Sequence, residues 1–199
     1  MTQVALVGGR ATLADQFITR SIATDAALVV AGAALTAVAA QIAVPLWPVP
    51  ITGQTLAVLL VGSTLGAARG ALSMVLYAIL GVVGLPIFSD ASSGLAVLTG
   101  TTGGYIVGFI ASAALVGWVA ERAGDRKFLG AALAFGAGTI VTFAFGMIWL
   151  AAVLGTDLAK TLEYGLYPFI IGGVVKSLLA ASIIPVVWLG VERINRNKK

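Results

Sequence analysis

The chain contains no cysteine and no histidine among its 199 residues. Those two absences exclude disulfides, thiol nucleophiles, Cys/His zinc sites and histidine acid–base chemistry. Charge is also scarce, at 10% of residues against about 25% in soluble domains. No lysine–serine pair of the P-loop type accompanies the glycine-rich run Gly-Thr-Thr-Gly-Gly-Tyr that ends at Tyr105, so no nucleotide cradle is expected. The net charge of +4 comes from basic residues scattered over separate segments. That pattern does not make a nucleic-acid surface. Apolar residues, by contrast, make up 59% of the chain. Such an excess predicts an all-α polytopic membrane protein folded as a single bundle.

Between Asp25 and Arg69 lie 43 residues without a charge. One helix of that length would run about 64 Å, twice what a bilayer needs. Pro45, Pro48 and Pro50 break it into two, because proline removes backbone donors and restricts its neighbour. The expected spans are residues 26–44, 52–68, 71–83, 103–120, 128–154 and 167–189. Arg69 and Gly70 read as a tight turn, and the segment from Phe88 to Thr102 as a long polar connection holding Asp90. The domain reading is a lead at 1–25, a six-helix transmembrane domain at 26–190 and a basic tail at 191–199. The lead lacks a continuous apolar core, so no cleavable signal is expected there. Leu13, Phe17, Ile18 and Ile22 recur at helical spacing. The lead therefore either lies flat on the membrane or is a disordered tail.

Six spans put both termini on one side, and the positive-inside rule chooses that side. Arg10, Arg20, Arg69, the loop cations Arg122, Arg126 and Lys127, and the C-terminal cluster up to Lys199 share one face, against Lys160 on the other. Both termini are thus expected in the cytoplasm, and the membrane is expected to be a cell membrane.

Lys176 stands in the apolar stretch from Tyr167 to Pro185. It lies nine residues into the expected last span, roughly 13 Å deep at ~1.5 Å per residue. An ammonium there costs about 2.5–3.5 kcal/mol on insertion scales. A ligand cavity or a snorkelling geometry would offset that cost. Phe169, Gly172, Gly173, Lys176 and Ala180 share one helical face. Two glycines beside a cation leave space for a small ligand bearing an acceptor; close helix packing explains the same glycines. Tyr105 reads as an aromatic wall for that space, and Asp90 as the partner of Lys176. In the first helix, Ala23, Ala27 and Ala31 form one small-residue row, and Ala33 with Ala37 another. Such rows allow close helix approach, within the bundle or to a partner protein.

Four ordered blocks resemble the BioY family, the biotin-binding subunits of energy-coupling-factor transporters. They are Pro48 to Leu56 (PVPITGQTL), Gly84 to Phe88 (GLPIF), Thr102 to Phe109 (TGGYIVGF) and Pro168 to Ala181 (PFIIGGVVKSLLA). The resemblance implies a six-helix S-component fold and capture of biotin from outside. It implies a membrane coupling (T) subunit and two cytoplasmic ATPases as partners. ATP would act only through those subunits, with no cofactor and no catalysis in this chain. It implies a ligand role for Lys176 and a docking strip at Ala27, Ala31, Ala33 and Ala37; Phe88, Tyr105, Gly173 and Phe169 are expected beside Lys176 in the ligand site. The family usually carries aspartate three positions before its lysine; here that position is Gly173. Asp90 is the expected substitute for the missing carboxylate. Two other readings are an S subunit for another small vitamin or anion, and an intramembrane enzyme using Asp90 and Lys176 as an acid–base pair. A structural or assembly protein is a further reading.

Overall fold

The computed structural model describes residues 12–196. Helix α1 (Ile22–Ala40) begins at a capping box. The Ser21 hydroxyl accepts from the Thr24 amide at 3.2 Å, and the Thr24 hydroxyl accepts from the Ser21 amide at 2.8 Å. Two donors left over at a helix start are thereby satisfied. The proline-rich turn follows as a hairpin. Strand β1 (Ala43–Val44) pairs antiparallel with β2 (Ile51–Thr52), Ala43 opposite Thr52 and Val44 opposite Ile51. Helices α2 (Gln54–Leu65) and α3 (Ala67–Val83) follow.

The break between α2 and α3 is at Gly66, not at Arg69–Gly70. Gly66 has φ +89°, a conformation that costs little only for glycine. The Glu121 carboxylate accepts the Ala67 amide at 2.9 Å, placing negative charge at the positive end of α3. Arg69 therefore lies inside the helix, 4% exposed. Its guanidinium donates to Asp25 at 3.1 Å, to Asp15 at 3.0 Å and to the Thr12 hydroxyl at 2.8 Å. A charge read as a surface marker is in fact neutralised in the interior.

That cluster also corrects the reading of the lead. Its described part is neither a free tail nor a surface helix. A short 3-10 turn, Ala14–Gln16, packs onto the bundle. Leu13 is buried with Leu59, Phe135 and Trp188, while Phe17 and Ile22 remain exposed. Residues 1–11, which include Arg10, and 197–199, which include Lys198 and Lys199, lie outside the described residues.

Helix α3 stops at Gly84, a left-handed cap. The polar connection contains a 3-10 turn, Ser89–Ala91, and a one-turn helix α4 (Leu95–Thr99). Helices α5 (Gly103–Ala120) and α6 (Phe128–Leu154) occupy the expected ranges. The stretch expected as a loop after α6 forms α7 (Leu158–Gly165), capped by the Asp157 side chain on the Lys160 amide at 2.9 Å. A 3-10 turn, Tyr167–Phe169, leads into α8 (Ile170–Arg196). This helix runs through Pro185, so the basic segment up to Arg196 is its last turns and not a separate tail.

Helix α5 is central, packed on α2, α3 and α6, while α1 packs on α2 and α3 and α8 on α6 and α2. At Gly108 a Cβ would stand 2.9 Å from the Thr142 carbonyl oxygen, so α5 and α6 meet at backbone distance. Among the described residues, four helical stretches are long and apolar enough to cross a membrane: α1, α5, α6 and the run from α7 through α8. Helices α2 and α3, with 12 and 17 residues, are shorter. One core cluster, around Tyr77, Phe88, Phe109, Phe143 and Phe169, borders the candidate site.

Candidate functional site

Lys176 does not snorkel outward. From α8 it crosses to the start of α2. Its Nζ donates to the Thr52 carbonyl oxygen at 2.6 Å and to the Thr55 hydroxyl at 3.1 Å. A lysine ammonium carries three donors, so one is left for a ligand. The polar chain continues away from the cation. The Thr52 hydroxyl donates to Gln54 Oε1 at 2.6 Å, and Gln54 Nε2 donates to the Tyr77 hydroxyl at 2.6 Å. That hydroxyl donates to the Ile87 carbonyl at 3.2 Å. The hairpin, α2, α3 and the Phe88 loop are thereby tied to the lysine-bearing helix.

The space beside Lys176 is a small cavity of about 50 Å³. One wall is aromatic. Tyr105 and Phe143 meet edge to face at 5.9 Å, and Phe143 and Phe169 lie 5.7 Å apart. The Tyr105 hydroxyl donates to the Gly165 carbonyl at 2.8 Å, so the ring is held while its face stays apolar. Phe88, 1% exposed, packs edge to face on Tyr77 at 5.3 Å. Thr52, Gln54, Thr55, Ser89 and Thr102 supply the polar lining, and Lys176 is the one charged residue among the described residues that line it. An ammonium with neutral acceptors on one side and open cavity on the other favours an anionic or strongly accepting guest.

Of the residues singled out from the sequence, Lys176, Gly173, Tyr105, Phe88 and Phe169 all line this cavity. Asp90 does not. It is exposed, with φ 56°, and Ala91 beside it has φ 52°. This left-handed turn is fastened by Gln41, which accepts the Ala91 amide at 3.1 Å and donates to the Phe88 carbonyl at 3.1 Å. Ser89 lines the cavity in place of Asp90. The expected partnership of Asp90 with Lys176, whether as a substitute carboxylate or as an acid–base pair, is replaced by Thr52 and Thr55. Gly173 leaves real space: a Cβ there would meet Thr139 Cγ2 at 3.4 Å and Phe143 Cε2 at 3.8 Å.

Sequence reading missed Thr52, Gln54 and Thr55 as site residues. Their signal was present, since four consecutive polar or small residues open an otherwise apolar helix. The two alanine rows of α1 also separate. Ala23, Ala27 and Ala31 are exposed, whereas Ala33 is 2% exposed and Ala37 half-buried. Ala33 and Ala37 pack inside the bundle and cannot form an outer strip.

Known proteins carry the same architecture. A probable biotin transporter BioY of Pyrococcus horikoshii is 38% identical over 161 residues, covering 81% of this chain and 94% of that one. The biotin transporter BioY of Thermotoga maritima is 38% identical over 151 residues, covering 75% and 87%. A crystal structure of the S-component for biotin from an ECF-type ABC transporter superposes with a TM-score of 0.74 at 23% identity, over 83% of this chain and 90% of that one. The family model described as the BioY family matches residues 10–193, and the chain belongs to that family.

Proposed function

We propose that this chain is the substrate-binding S subunit of an ECF-type transporter, that it captures biotin, and that it performs no catalysis. The observation that carries the reading is Lys176, fixed by Thr52 and Thr55 at the edge of an aromatic-walled cavity. Biotin offers a carboxylate and an accepting carbonyl, either of which takes the remaining ammonium donor. Its ring system matches the apolar wall of Tyr105, Phe143 and Phe169. Family membership and the S-component fold support the same reading. Six membrane crossings with both termini cytoplasmic, in a prokaryotic cell membrane, put the cavity toward the outside. A membrane coupling subunit and two cytoplasmic ATPases supply the energy, and the exposed row Ala23, Ala27 and Ala31 suits their approach.

Gly173 favours a second ligand class. Without a carboxylate in the cavity lining, the site suits other small carboxylate-bearing vitamins as well. The test is a binding titration of the purified protein with labelled biotin, beside the Lys176→Ala variant. A charge-assisted hydrogen bond is worth about 1.5–3 kcal/mol, so the variant is expected to bind roughly 10- to 150-fold more weakly. Equal affinity of parent and variant overturns the assignment. The mass of the small molecule that co-purifies separates biotin from another vitamin.

A further inference from the structure

We propose that Tyr77 is a positioning residue for the ligand site: it lies outside the cavity and, through Gln54 and Thr52, sets where the Lys176 ammonium points. The inference rests on the biotin reading above, since it concerns what aims that ammonium at the guest. Tyr77, on α3, is 0% exposed and does not line the cavity. Both ends of the bonded chain that passes through it do. At one end Lys176 Nζ donates to the Thr52 carbonyl. At the other, the Ile87 carbonyl that accepts from the Tyr77 hydroxyl directly precedes Phe88 and Ser89.

An ammonium turns on a flexible stem, so the acceptors it meets set its direction. The nearer of its two acceptors is the Thr52 carbonyl, at 2.6 Å. The peptide between Thr52 and Gly53 is anchored at one edge by the Gly53 amide, which donates to the Ile42 carbonyl at 2.8 Å. Its other anchor is the Thr52 side chain, whose hydroxyl donates to Gln54 Oε1 and accepts the Gln54 amide at 3.3 Å. Gln54 holds that geometry while its own amide group is fixed, and the 2.6 Å bond from Nε2 to the Tyr77 hydroxyl fixes it. Without that hydroxyl Gln54 turns, Thr52 loses its side-chain anchor, and the carbonyl shifts against the ammonium. The same ring seats the opposite wall. Phe88 packs edge to face on Tyr77, and a Cβ at Gly81, one turn along α3, would collide with the Phe88 ring. Packing alone needs only the ring: phenylalanine would fill that volume without a hydroxyl to satisfy. The hydroxyl is what joins the Lys176 clamp to the Phe88 wall.

The experiment is a titration of labelled biotin against four forms of the full chain in detergent: parent, Tyr77→Phe, Lys176→Ala and the double variant. Tyr77→Phe keeps the ring against Phe88. With Lys176 present it is expected to weaken biotin roughly three- to tenfold, the size of one hydrogen bond. In the Lys176→Ala background the same substitution is expected to change affinity by less than about twofold, because no ammonium is left to aim. A loss of equal size in both backgrounds makes Tyr77 a packing residue and overturns the proposal, as does no loss in either. Gln54→Met cuts the same chain from the other end and is judged by the same outcomes if Tyr77→Phe does not fold. Where the parent binds biotin, a failed cycle removes only the positioning role. If the parent does not bind biotin, the biotin reading falls and the role falls with it.

Discussion

Lys176 lines the cavity with partners other than the one expected from the sequence. A lone ammonium in lipid demanded acceptors, and the nearest carboxylate along the expected topology was Asp90. Backbone conformation decided otherwise, because the left-handed turn at Asp90 and Ala91 carries that side chain outward. Neutral oxygens at Thr52 and Thr55 hold the lysine instead. Asp90→Ala is therefore expected to change biotin affinity by less than about twofold. Thr55→Val removes one hydrogen bond worth ~0.5–1.5 kcal/mol and is expected to weaken biotin by a few-fold to about tenfold. Isothermal titration of both variants checks the pair; a larger loss at Asp90 than at Thr55 refutes the placement.

At the scale of elements, α1 divides its small residues between two tasks. Ala33 faces the core cluster of Met74 and Tyr77, whereas Ala27 and Ala31 face outward. Helical periodicity groups each row, but which row looks inward depends on the rotation of α1 against α3. Ala31→Trp is expected to leave thermal stability within about 0.5 kcal/mol, as for an exposed position, and biotin binding unchanged. It is expected to cut co-purification of the coupling subunit at least about tenfold, read from a pull-down of the assembled transporter. Ala33→Trp should instead destabilise by about 1–3 kcal/mol through overpacking. Full recovery of coupling subunit with Ala31→Trp removes the exposed row as a docking face.

For the whole molecule, the described lead is a clasp. Asp15 joins Arg20 at 2.6 Å, Arg69 at 3.0 Å and the Thr12 amide at 2.7 Å, tying residues before α1 to α3. Burial would raise the Asp15 carboxyl, but the hydrogen bonds from Arg20 and Thr12 and the charge of Arg69 overcome it and hold it well below the usual range. A depressed carboxylate contributes stability above its unfolded pKa, near 3.9, and loses it as pH falls. The parent is thus expected to be more stable than Asp15→Asn above about pH 5, with the difference shrinking towards pH 2. Asp125 acts with the opposite sign. It is fully buried and bonded to the Ser63 hydroxyl, and burial pushes its carboxyl up. Its contribution is greatest at low pH and declines as pH rises above about 4. Melting curves of parent, Asp15→Asn and Asp125→Asn across pH 2–8 check both; a constant gap between parent and Asp15→Asn disproves the clasp's ionic origin.

Composition, proline placement and the lone intramembrane lysine by themselves determined the class of protein, the extents of α5 and α6, and a few of the cavity's lining residues, Tyr105, Phe169, Gly173 and Lys176. These follow from local physics: the cost of charge in lipid, the missing donor of proline, and helical spacing. Tertiary structure alone decided the inward burial of Arg69, the outward turn of Asp90, the sorting of the alanine rows and the grip of Thr52 and Thr55 on Lys176. Each depends on which surfaces meet across long sequence separations. An apolar chain gives few clues to that, because nearly every face of its helices can be buried equally well.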